Sequence, residues 1–186
     1  MNKAHVDLVF QIGICVKDAK ATLENWKRYF DIDESTIIHR NLQELYDEGL
    51  FNPGEYRGKP LTSFHELYRF TLGNMDMEII QPLSLEPGSP YADFLIENGG
   101  NGIHHIAVKF RDRDALIENM EMAGIPIYSF ASQGKPFADG RKKDNYFYDM
   151  REMFGVIIEA GSLVVGPMAN DPLADNPPDY DDKGRA

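Results

Sequence analysis

The chain has 186 residues, long enough for one well-buried domain or for two small modules sharing a sheet, and its 42% hydrophobic content is that of a globular protein. A net charge of -11 argues against a nucleic-acid partner, which needs clustered Lys and Arg, and disfavours an anionic membrane surface. A single cysteine, Cys15, rules out an intrachain disulfide framework; the first residues carry no basic-then-apolar leader pattern and no apolar run reaches membrane-span length, so the expectation is a cytoplasmic enzyme or binding protein.

In chain order, residues 7–16 alternate as a strand. Leu8, Phe10, Ile12, Ile14 and Val16 take one greasy face, while Gln11 stands on the other with Val9, Gly13 and Cys15. Asp18 is placed to cap a helix with an apolar stripe of Leu23, Trp26, Tyr29 and Phe30. Residues 35–62 are less periodic and hold Asn52-Pro53-Gly54 and Gly58-Lys59-Pro60, which read as loop. Strands near 64–72 and 75–81 meet through Gly73-Asn74 as a hairpin. Ser89-Pro90 opens a helix that Gly99-Gly100 closes. A strand over Ile103–Phe110 sets His104 with Ile106, Val108 and Phe110 on the apolar face, and His105 on the opposite one. Asp112 caps a helix ending at Gly124, and strands follow near 126–130, 145–149 and 155–160. Beyond Ser162 the chain turns to Gly, Pro, Asp and Asn and reads as a tail.

The two halves repeat. Gln11-Ile12-Gly13-Ile14-Cys15-Val16-Lys17-Asp18 aligns without a gap to His105-Ile106-Ala107-Val108-Lys109-Phe110-Arg111-Asp112, at an offset of 94. Each half also closes on a strand with a central Glu, Glu78 in the first and Glu159 in the second. Gln11 to Glu78 spans 67 residues and His105 to Glu159 spans 54, with the extra length assigned to the 35–62 region. Each half therefore reads β-α-β-β-β. The fold class is α+β, with two paired βαβββ modules forming a curved mixed sheet. The boundaries are 1–88 for the first module, 89–162 for a linker helix and the second module, and 163–186 for an acidic, Pro-rich tail. If the modules pack edge to edge, Gln11, Glu78, His105 and Glu159 converge on the concave face. Singly, each would be an ordinary strand residue; repeat symmetry makes them a set. Two carboxylates, an imidazole and an amide oxygen suit a divalent Mn, Co, Ni or Zn ion better than a thiolate-seeking one.

On these residues the chain resembles the vicinal oxygen chelate (glyoxalase/bleomycin resistance/dioxygenase) superfamily over about residues 7–161. Ser89–Leu95, Gly102–Val108 and Met77–Leu83 are similar to methylmalonyl-CoA epimerases. The resemblance implies a metal-dependent isomerase or epimerase of an acyl-CoA, a homodimer, and metal ligation by His105 and Glu159. It implies that Glu159, and less firmly Glu78, acts as the base that moves a proton α to a carbonyl, with Glu66 as a second candidate base. Gln11 departs from the epimerases, which carry His there, and Glu78 from their common Gln. The set Gln, Glu, His, Glu instead resembles a eukaryotic type of glyoxalase I, which makes a lyase the alternative. A metal-free small-molecule binding protein of the same fold is a third reading.

Other residues say less. Either Tyr146 and Tyr148 or Asn145 and Phe147 face the pocket. Cys15 fills space on the concave face. Gly134 and Gly140 bracket a loop that can close over substrate. Arg141-Lys142-Lys143 is either a contact for a CoA phosphate or a solvated turn.

Overall fold

The sheet is organised by one antiparallel pairing. The computed structural model describes residues 3–133 and 144–161. Strand β1 (Val6–Cys15) lies beside β7 (Gly102–Phe110), with Ile12 opposite Ile106. These two residues are 94 apart, the same interval that relates the two halves in sequence. A pseudo-two-fold axis therefore passes through this pair and relates the central strands of the two halves. On the first side β6 (Met75–Pro82) runs parallel to β1, and then come β5 (His65–Leu72) and β2 (Ile38–Asn41). On the second, β10 (Val156–Ala160) runs parallel to β7, followed by β9 (Asp144–Met150) and β8 (Ser129–Gln133). The described strands form one mixed sheet in the order β2-β5-β6-β1-β7-β10-β9-β8-β3-β4.

The helices follow the same symmetry. Helix α1 (Ala19–Tyr29) is capped by Asp18, whose carboxylate accepts from Ala21 N; α4 (Arg113–Met122) is capped by Asp112, which accepts from Ala115 N. Both caps sit at the repeat interval. Each helix covers the outer face of its own half. Leu23 packs with Val16, Phe70, Met77 and Ile79 on one side, and Leu116 with Tyr148, Met150 and Ala160 on the other. The linker helix α3 (Pro90–Glu97), with Ser89 accepting from Ala92 N, lies on the inner side. There Tyr91, Phe94 and Leu95 fill one end of the concavity against Cys15, Leu67 and Ile80.

Residues 35–62 are not the loop that their Pro and Gly content suggests. A 3-10 turn (Glu34–Thr36) leads into β2. Asn41 then accepts from Gln43 N to start α2 (Leu42–Asp47), whose Leu42 and Leu45 are buried. Strands β3 (Phe51–Tyr56) and β4 (Lys59–Pro60) form a hairpin that crosses the molecule and pairs with β8 of the other half. Pro53 and Gly54 fall at a register break in the β3–β8 ladder, where a β-bulge accepts residues that a regular strand would not. Strand β8 starts three residues later than the predicted 126, and a single helical turn, α5 (Arg151–Phe154), separates β9 from β10. No helix among the described residues is long and apolar enough to cross a membrane.

The caps give a direct test of this assignment. Asp18→Ala and Asp112→Ala should each lower stability by about 1 kcal/mol, read as a shift in urea midpoint with unchanged slope.

Candidate functional site

Sheet register alone fixes where the four repeat-related residues stand. Gly13 lies opposite His105 and beside Glu78 on β6, while Ala107 lies opposite Gln11 and beside Glu159 on β10. Gly13 and Ala107 are again 94 apart. Gln11 and His105 are thus true equivalents about the axis, as are Glu78 and Glu159, and all four project from the inner face.

Three of the four side chains meet. His105 Nε2 is 3.0 Å from Glu159 Oε2 and 3.6 Å from Glu78 Oε2. The imidazole is completely buried, whereas the Glu78 and Glu159 side chains keep 13% and 8% of their exposure, so what solvent contact the group has is on the carboxylate side. Although both carboxylates are near, neither lies where the ring N–H direction would make a hydrogen bond, and Nε2 remains a buried polar atom without one. Burial opposes a charge on His105, but Glu159 and Glu78 together outweigh it and hold the imidazole above its usual range. Burial also raises Glu78, against the opposing pull of Arg69 and His105.

Gln11 faces elsewhere. Its Nε2 donates to Asp76 Oδ2 at 2.6 Å, and Asp76 forms a buried ion pair with Arg69. The equivalent of Asp76 in the second half is Ile157, which lies beside His105 and offers nothing to bond. This one break in symmetry draws the amide away from the other three residues. Glu66 is not brought to the site: it alternates with Arg69 and Leu67 on β5, facing the side of Tyr68 and Phe70, and its Oε2 lies 3.1 Å from His39 Nε2.

His104 also departs from the strict alternation read from sequence. Gly13 pairs with His105 but Ile14 pairs with Ile103, so two residues of β7 oppose one of β1 in a bulge. The bulge turns His104 inward with His105, while Ile103 is left 59% exposed. His104 packs against Tyr91, Phe94 and Phe147, with its Nδ1 3.0 Å from His105 Nδ1. A matching break lies between Val9 and Gln11, where Phe10, the equivalent of His104, is likewise buried. Period-two reading cannot detect this, although adjacent histidines in an apolar strand were a signal.

On β9 it is Phe147 that faces inward, its ring centroid 5.2 Å from that of His105, while Tyr146 and Tyr148 pack beneath α4. Cys15 is buried and its thiol is pushed up to about 12 by burial, in keeping with a packing role. The Gly134–Gly140 loop, the Arg141-Lys142-Lys143 run and the 163–186 tail lie outside the described residues.

A divalent cation fits this chemistry. Ligand atoms about 2.1 Å from an ion stand about 3.0 Å apart at right angles, close to the separations around His105 Nε2. Among the described residues no three His, Cys, Asp or Glu side chains are arranged so that they could hold a metal ion as they stand. What is present is an imidazole nitrogen lacking a hydrogen bond between two carboxylates, a donor set that a dication would satisfy and neutralise.

Residues 10–148 match the family model of the glyoxalase/bleomycin resistance protein/dioxygenase superfamily. The chain belongs to this superfamily. Its mixed sheet and repeated halves are those of the vicinal oxygen chelate fold. Within the superfamily it is 32% identical over 89 residues to the ethylmalonyl-CoA/methylmalonyl-CoA epimerase of Cereibacter sphaeroides, covering 48% of this chain and 63% of that one. Over 88 residues it is 33% identical to the mitochondrial methylmalonyl-CoA epimerase of Homo sapiens, covering 47% of each. The matched stretch thus spans less than two thirds of either relative. A crystal structure of the methylmalonyl-CoA epimerase of Mycobacterium tuberculosis shares the fold, with a TM-score of 0.51 at 18% identity over 87% of this chain and 91% of that one.

Two substitutions probe the geometry. A Cβ at Gly13 would overlap the His105 ring; Gly13→Ala should therefore displace the imidazole, seen as altered His105 ring resonances by NMR while α-helical circular dichroism is retained. Arg69→Met takes the ion-pair partner from the buried Asp76, leaving it the Gln11 amide, and should cost about 3–5 kcal/mol in urea unfolding.

Proposed function

We propose that the chain is a divalent-cation-dependent epimerase that removes and returns a proton α to a thioester carbonyl, with methylmalonyl-CoA or a close 2-alkyl analogue as substrate. The observation that carries this reading is the buried His105 Nε2, without a hydrogen bond, set between the symmetry-related Glu78 and Glu159. The stretch of sequence similar to two named epimerases supports the choice of substrate.

Glu78, His105 and Glu159 would hold the cation, one of Co, Mn, Ni or Zn. Gln11 would join them as a fourth donor, through its amide oxygen, only after its amide turns back from Asp76. When bound, the cation supplies Lewis-acid stabilisation of negative charge developing on the substrate carbonyl oxygen. The protein supplies the proton handling. Glu159 accepts the α-proton, and the C–H electron pair moves toward the carbonyl. Return of a proton to the opposite face gives the epimer, with no net redox change. Glu78, related to Glu159 by the axis, would make that return from its protonated form, and proton exchange with solvent at Glu159 and Glu78 would then reset the pair. Phe147 shields the imidazole, and Arg69 and Asp76 brace the β6 side. A homodimer in the cytoplasm belongs to the same proposal. The Gln-Glu-His-Glu identity of the set favours a glyoxalase-type lyase as the second reading.

The deciding measurement pairs metal content with exchange chemistry. Purified untagged protein should carry about one transition metal per chain, lost in His105→Ala, and should wash deuterium from D₂O into the α-position of methylmalonyl-CoA. Glu159→Gln should slow that exchange about 10²–10⁴-fold. Metal without exchange directs the search to thiol–aldehyde adducts. A wild-type protein that stays empty after reconstitution sinks the enzyme reading in favour of a binding protein.

A further inference from the structure

His105 needs a particular tautomer to act as a ligand. A neutral imidazole has one N–H; if Nε2 is to offer its lone pair, the proton must sit on Nδ1 and find an acceptor there. The usual acceptor is a carboxylate or a backbone carbonyl. Here the atom facing His105 Nδ1 is the Nδ1 of His104, 3.0 Å away. A single proton can occupy the space between two such nitrogens, so one ring must donate and the other accept.

We propose that His104 is a positioning residue: its Nδ1 accepts the Nδ1–H of His105 and so holds the His105 Nε2 lone pair toward Glu78 and Glu159. This rests on the cation reading above. Two observations support it. The two rings stand nearly perpendicular, at 88°, and both are buried, so water does not compete for either Nδ1. His104 is clasped by Tyr91 and Phe94, with ring centroids at 4.8 and 5.1 Å, which fixes its plane. The same assignment puts the His104 proton on Nε2, which is buried without a hydrogen-bond partner among the described residues.

The repeat supplies an internal control. The residue equivalent to His104 is Phe10, buried in the matching bulge of β1. An apolar ring therefore satisfies the packing of that bulge when its neighbour is Gln11, whose amide has no tautomer to set. The imidazole occurs in the half where the neighbour is an imidazole.

The test begins with ¹⁵N-histidine-labelled, metal-free protein and long-range ¹H–¹⁵N correlation. His104 should show a bare Nδ1 and a protonated Nε2; a proton on His104 Nδ1 overturns the assignment. Zinc affinity, measured by competition with a chromophoric chelator, provides the second arm. His104→Phe should bind zinc about 10–100-fold more weakly with its metal-free urea midpoint essentially retained, and His104→Asn, which restores an acceptor near the Nδ1 position, should recover most of the loss. Zinc binding in His104→Phe equal to wild type also overturns it. A wild type that binds no zinc overturns the proposed function instead, and the tautomer spectrum still decides the direction of this hydrogen bond.

Discussion

The pairing of Ile12 with Ile106 across β1 and β7 is the constraint on which the rest of the molecule depends. Because the interval between them equals the sequence repeat, the backbone hydrogen bonds at the centre of the sheet impose two-fold symmetry on the strands that flank it. The bulges, the parallel partners β6 and β10 and the Asp caps of α1 and α4 all obey it. A site built on such an axis needs no long-range coincidence: one residue on a first strand and one on a last strand, each repeated, deliver four side chains to one place. A shift of one residue in that pairing would turn each strand's inner set outward, so packing of the half-buried Ile12 on the outer core helps fix the register of the site as well as that of the core.

The symmetry is most informative where it fails. Gly13 stands where the other half has Ala107, and the His105 ring lies over it. His105 has Ile157 beside it, and its nitrogen remains open toward two carboxylates. Gln11 has Asp76 beside it and is drawn into a buried charge network with Arg69. The two halves thus share a backbone and divide the labour: one presents an imidazole to the centre, the other braces a carboxylate with a cation behind it. Desolvation makes both arrangements sensitive, since an unpaired group at either place has no water to turn to.

Much of this could be read from the chain. The repeat, the Asp18 and Asp112 caps, the strands carrying Gln11 and His105, and the common face of the four residues follow from period and offset alone. The misreadings share a physical cause, namely bulges. Where a strand takes an extra residue, alternation inverts, so His104 was assigned to the wrong face. Where a bulge accommodates Pro53 and Gly54, turn-forming residues hide a strand, so β3 was read as loop. Partner identity was also out of reach: nothing local to Gln11 announces Asp76, which lies 65 residues away. Glu66 illustrates the reverse error, a chemically suitable residue on the face opposite to the site.

The β3–β4 hairpin carries a consequence for the history of the chain. It arises within the first half yet completes the edge of the second, pairing Tyr56 with Ser129 and Phe51 with Gln133. Two duplicated modules begin as interchangeable units, each able in principle to pair with a copy of itself. Once one of them lends a ribbon to the other, that freedom is gone. A first half alone would hold an unpaired ribbon, and a second half alone an open β8 edge of the sort that invites aggregation. The loan makes the halves obligate partners, and insertions that redesign the pocket rim can then accumulate without the chain reverting to separable pieces.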